Sequence, residues 1–238
     1  MNTEMIKVAG LTVELVLRPI KNLHIGVYPP SGRVRVAAPM ALSEDAVRIA
    51  VVTRLTWIKK KQRDFAGQAR QSERRYVSGE THYFLGRPLR LVVQEAKVRG
   101  AKFEFDGPDR LKMTVPTKAS AEQKAAWLAS WYRQQLREKV APRIEKWAAR
   151  LSLQVPRWGV RQMRTKWGSC NPEKGLIWLN LELAKKPLAC LDYVLLHEIA
   201  HFMSPRHDEA FLEVLDRNMP SWRQIRADLN ALPLSADL

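Results

Sequence analysis

The spacing of apolar residues changes at Pro116, and that change limits the fold more than any other feature of the chain. Before it, apolar and polar residues alternate. LTVELVL (11–17), LHIGVY (23–28), RVRVAA (33–38), HYFLG (82–86), PLRLVVQE (88–95), KFEFD (102–106) and RLKMTVP (110–116) have the period of strands. PPSG (29–32) supplies a turn, and DGPD (106–109) joins the last two strands as a hairpin. One helical stretch, 43–70, interrupts them, with Ser43 as N-cap and Val47, Val51, Leu55 and Ile58 at helical spacing. After Pro116 the period becomes helical. Residues 120–151 predict one long amphipathic helix, with Pro142 expected to kink it. Short strand-like pieces follow, RWGVRQM and LIWLNLEL, around a turn at WGSCNPEKG. Three more helices are expected near 188–203, 208–217 and 221–231. Strands first and helices second argue for α+β. The expected division is a β-rich region with one helix, 1–117, and a mainly helical domain, 118–238. No internal repeat and no low-complexity linker is visible.

Composition narrows the class. The 238 residues are 46% hydrophobic and 27% charged, as in a soluble globular protein. The N-terminus lacks a signal-peptide pattern, and no apolar run reaches the length of a membrane span. Two cysteines, Cys170 and Cys190, are too few for a disulfide framework, so a cytoplasmic setting is expected. The net charge of +16 would attract polyanions, so nucleotides and nucleic acid are candidate partners. The basic residues are spread over RLTWIKKKQR, RQSERRY and RTK rather than gathered in one tract, as a merely solvated surface would have them.

Three of the five histidines fall in VLLHEIAHFMSPRHDEAF, 194–211. Residues four apart on a helix differ by about 40° around its axis, so His197 and His201 share a face. Glu198 flanks that face and can reach a water there. This is the H-E-x-x-H arrangement of two zinc ligands and a general base. Zinc lowers the pKa of its water, and Glu198 takes the proton as the water attacks a carbonyl. A third ligand is needed. Pro205 should end the helix near Ser204 and let His207 turn back, with Glu209, Glu213 and Asp216 as alternatives. A satisfied pair of core histidines would require neither Glu198 nor a nearby third histidine. Val194, Leu195, Ile199 and Phe202 supply the apolar stripe that buries the helix.

The run 163–229 resembles the YgjP-like metallopeptidase family, related to the SprT-like and WLM zincins. The resemblance rests on Trp167 to Cys170, Leu179-Asn180, Asp192 to Val194, His197 to His201, His207 with Phe211, and Pro220 with Trp222. Ala38-Pro39, Trp57-Ile58 and Tyr76 to Tyr83 extend it into the first half. It implies a zincin-like domain of a long helix, a small antiparallel sheet, an active-site helix and C-terminal helices. It also implies His197, His201 and His207 as ligands of one zinc per chain and Glu198 as base. Members often carry Asn before the third histidine, where this chain has Arg206. Some members are described as nucleotide pyrophosphatases acting on UTP.

Further residues are weaker candidates. Arg164, Lys166, Trp178 and Asn180 could touch substrate, although Arg164 and Lys166 could equally be a solvated edge and Trp178 a core residue. Cys170 could add a fourth ligand, which would close the site. GLIWLNLEL is either the strand that pairs with an extended peptide or a plain buried strand over the helix. His24 and His82 have no partner at metal-ligand spacing. The expectation is a zinc peptidase acting on protein or peptide. A UTP pyrophosphatase using the same site, or a zinc-braced nucleic-acid-binding module, are the alternatives. The oligomeric state is not legible.

Overall fold

The computed structural model describes residues 3–28, 31–67, 74–163 and 165–231. They divide into two compact units, one ending before the 68–73 stretch and one beginning after it. The change of spacing at Pro116 therefore lies inside the second unit.

The first unit holds β1 (Thr3–Val8), β2 (Leu11–Arg18), β3 (His24–Tyr28), β4 (Arg33–Pro39), α1 (Glu44–Thr53) and α2 (Leu55–Gly67). The sheet order is β1-β2-β4-β3, with β2 and β4 parallel and the outer pairs antiparallel. Alternation puts Val13, Leu15, Val34, Val36 and Ala38 inside, against Val47, Val51 and Ile58 of the helices. Ser43 caps α1 by accepting a hydrogen bond from Ala46 N–H, as its position predicts. The single helix expected over 43–70 is two helices, and its last residues lie outside the described ones. Thr53 Oγ1 donates to Ile49 O at 2.8 Å, a side-chain bond of the kind that bends helices, and α1 ends there. Strand β1 was not expected. Only Ile6 and Val8 of it are buried, too short a pattern to read. Pro29 and Pro30 of the expected turn are outside the described residues.

The second unit begins with β5 (Thr81–Phe84), β6 (Arg87–Ala96), β7 (Lys102–Phe105) and β8 (Arg110–Pro116), then α3 (Ala121–Arg150). Its sheet order, β5-β6-β8-β7, and its strand directions are those of the first sheet. Both sheets open on a two-residue hairpin with positive φ at each central residue, Ala9-Gly10 and Leu85-Gly86. Both close on a proline, Pro39 or Pro116, followed four residues later by a serine helix cap, Ser43 or Ser120. This is a structural repeat that the sequence hides, because inward positions keep their hydrophobicity but change identity: Val34, Val36 and Ala38 become Leu111, Met113 and Val115.

Helix α3 starts in a capping box between Ser120 and Gln123. It runs through Pro142 to Arg150, held by buried Leu136, Val140, Ile144 and Trp147 on both sides of the proline. Next come β9 (Arg157–Arg161), β10 (Gly168–Asn171) and β11 (Leu176–Asn180). They form a mixed sheet in the order β10-β11-β9, with β9 parallel and β10 antiparallel to β11. A 3-10 turn, Leu181–Lys185, leads into α4 (Leu188–Ala200), then α5 (Glu209–Asn218) and α6 (Trp222–Ala231). One core joins the inner face of β5–β8 to α3, β11 and α4. No helix among the described residues is long and apolar enough to cross a membrane.

Candidate metal centre

Helix α4 is largely buried. Val194, Leu195, Leu196, Ile199 and Ala200 are 0–3% exposed, which turns His197 and His201 toward the remaining open side. The helical hydrogen bonds persist to Ser204, whose N–H donates to Ala200 O at 3.0 Å. The chain then turns at Pro205. The Ser204 hydroxyl lies 2.9 Å from both carboxylate oxygens of Asp208, and Asp208 caps α5 by accepting from Phe211 N–H at 3.0 Å. This bridge closes the turn that carries His207 back to α4.

The ligand atoms of His197, His201 and His207 all lie within 4.8 Å of one another. His207 Nε2 is 3.1 Å from His197 Nε2. Two nitrogens bound tetrahedrally to zinc at about 2.0–2.1 Å would be roughly 3.3 Å apart. His201 Nδ1 is 3.1 Å from Ser204 O, so its N–H donates there and Nε2 keeps its lone pair for a metal. Phe211, 1% exposed, packs against all three imidazoles at ring distances of 5.0, 4.9 and 4.7 Å. Tyr193 meets His197 edge-on and stacks on Trp222, which donates to Asp216. Burial pushes His197 down to about 3, with His201, His207 and Arg226 adding to the shift. Burial also lowers His201, against the Ser204 hydrogen bond. Both rings are therefore neutral at pH 7, the form that binds metal. The residues present fit a divalent transition metal.

Glu198 is 5% exposed. Burial pushes its carboxyl up to about 7, while the Lys166 charge and the Cys170 N–H draw it down. Strand β10 supplies its wall, with Gly168 directly against the carboxylate.

The other candidates part company here. Lys166 is exposed and acts on Glu198, so it stands beside the group. Asn180 is fully buried and bonded to the chain itself: its amide donates to Met163 O and Lys166 O and accepts from Met163 and Glu182 N–H. It shapes the loop before β10 and has no edge free for substrate. Trp178 points to the sheet face opposite Ile177 and Leu179, over Gly159 and under the Arg161 guanidinium at 4.9 Å. That face is turned away from Glu198. Arg164 lies outside the described residues. Strand β11, a candidate partner for a peptide, is flanked on both edges by β10 and β9; β10 is the edge strand beside α4. Cys170 is a protonated thiol, pushed up to about 12 by burial and by Glu198, and is not in the imidazole group. Asp216 is engaged by Arg223 and Trp222, and Glu213 by Arg217. His24 and His82 lie in the two four-stranded sheets. Ser204, Asp208 and Gly168 were not singled out as site residues by sequence. Asp208 could have been, as an N-cap before an apolar helix; the position of Gly168 against Glu198 depends on tertiary packing alone.

Three converging imidazoles from a helix and the turn after it, with a buried carboxylate next to the first, define a metal-dependent hydrolase. The model of the YgjP-like family, metallopeptidase domain, matches residues 22–232, and the chain belongs to that family. It is also similar to the crystal structure of the metallopeptidase zymogen abylysin from Pyrococcus abyssi, at 20% identity and a TM-score of 0.36, over 38% of this chain and 90% of that one. No curated protein matches the chain in sequence.

Proposed function

We propose that the protein is a zinc-dependent peptidase, with His197, His201 and His207 as ligands and Glu198 as general base. The observation that carries this reading is the convergence of three imidazole ligand atoms within 4.8 Å. Zinc at this position supplies a Lewis acid that polarises a carbonyl and acidifies water. Glu198 accepts the proton of the attacking water on its carboxylate and returns it to the leaving nitrogen. The Ser204 carbonyl keeps His201 in the ligating tautomer, and Phe211 excludes water behind the three rings. An extended peptide adds to the open edge of β10, and Lys166 steadies negative charge on the substrate carbonyl.

An all-imidazole set favours zinc over magnesium, whose sites are oxygen-rich, and so favours the peptide bond over a phosphoanhydride. The test compares zinc-loaded wild type with Glu198→Gln on an unfolded protein and on UTP. The expected result is proteolysis that falls by roughly 10²–10⁴-fold in the variant while zinc stays bound. UTP turnover without proteolysis would overturn the peptidase reading.

A further inference from the structure

Gly168 is buried in β10, and its φ is not among the positive ones, so its backbone would accept any residue. The space around it would not. A Cβ placed there would lie 2.5 Å from Oε1, 2.8 Å from Cγ and 2.9 Å from Cδ of Glu198. The space a Cβ would need is taken by that side chain. Two residues on, the Cys170 N–H is near enough to the same carboxylate to favour its charged form. Gly168 and Cys170 pair with Leu179 and Ile177, both fully buried, so they turn to the α4 side of the sheet. The other glycine that closely meets a side chain in this sheet, Gly159, accommodates Trp178 on the opposite face.

We infer that β10 is the seat of the general base: Gly168 is a positioning residue whose missing side chain makes room for the Glu198 carboxylate. This rests on Glu198 being the base. The atoms nearest the missing Cβ are the end of one flexible side chain. Alanine at 168 therefore displaces the carboxylate and leaves the strand in place. The imidazoles belong to α4 and the turn after it, so the metal group is untouched. A misplacement of about 1 Å in a reacting group costs on the order of 100-fold in rate.

The experiment uses the full chain with zinc, as wild type, Gly168→Ala, Glu198→Ala and the double variant. Zinc stoichiometry, kcat and KM on an unfolded protein, and melting temperature are measured for each. Gly168→Ala should bind one zinc with unchanged affinity. It should lose about 100-fold in kcat with KM within twofold. Its melting temperature should drop by about 2–4 °C beside Glu198 and not at all in the Glu198→Ala background, where the space is vacant. Wild-type kcat in Gly168→Ala, or an equal melting loss in both backgrounds, would overturn the inference. If Gly168→Ala alone fails to fold, recovery in the double variant supports the seat, and failure in both overturns it. A zinc-loaded wild type that cleaves nothing would sink the peptidase reading, and the melting comparison would still decide whether Gly168 accommodates Glu198.

Discussion

His197 Nδ1 is buried without a hydrogen-bond partner, whereas a ligating histidine ordinarily donates its second N–H. Its orientation comes from packing against Phe211 and Tyr193 instead. Replacing Phe211 by Ala should therefore cost about 3–5 kcal/mol of stability by denaturant unfolding and weaken zinc binding as well. A loss of stability with zinc affinity intact would show the rings to be held by something else. His82 gives a second expectation, free of the metal. It lies 3.3 Å from Glu80, which alone would favour its charged form. Burial and Arg74 outweigh that pairing and hold it down to about 4. Between about 4 and its ordinary 6.5 the native state binds fewer protons than the unfolded chain, so stability is present above 6.5 and lost as pH falls through this window. Thermal unfolding of His82→Gln should show a flatter pH dependence there than wild type. The His197, Glu198 and His201 spacing was legible because a helix has one period. The pairing of Gly168 with Glu198 was not, because no local rule joins residues thirty apart.

The entry to α4 is braced by the β5–β6 hairpin. Leu85 and Gly86 N–H donate to Ala184 O at 2.8 Å and Lys185 O at 3.2 Å, in the 3-10 turn before the helix. Gly86 has φ +82, and a Cβ on it would lie 2.8 Å from Pro187 Cγ. Gly86→Ala should then cost about 1–3 kcal/mol from backbone strain, with more from the clash, and calorimetry with zinc present would measure it. The types of most elements followed from their periods, and their caps from Ser43 and Ser120. Sheet order did not, since a strand's neighbours are set by tertiary packing. For that reason spacing alone leaves β11 open as a substrate edge or a buried strand, whereas β10 and β9 cover both its sides, and the repeated sheet topology is hidden. The break after Thr53 is not recorded in the hydrophobic spacing, which runs on at helical period through Leu55 and Ile58.

The second unit contains the imidazole group, its wall and its support in one core, so metal binding should be felt by that core as a body. Ligand binding to the native state alone stabilises it by about 2.7 kcal/mol at a hundredfold excess over Kd. For a protein of this size that raises the melting temperature by roughly 5–10 °C, and a chelator should reverse it. The whole functional account depends on the return of His207 to α4. The measurement that reaches this most directly is zinc affinity and stoichiometry for wild type and His207→Ala. One zinc per wild-type chain, with affinity at least about 100-fold weaker in His207→Ala, is the expected result. No zinc in the wild type, or undiminished affinity in the variant, would contradict the three-histidine site.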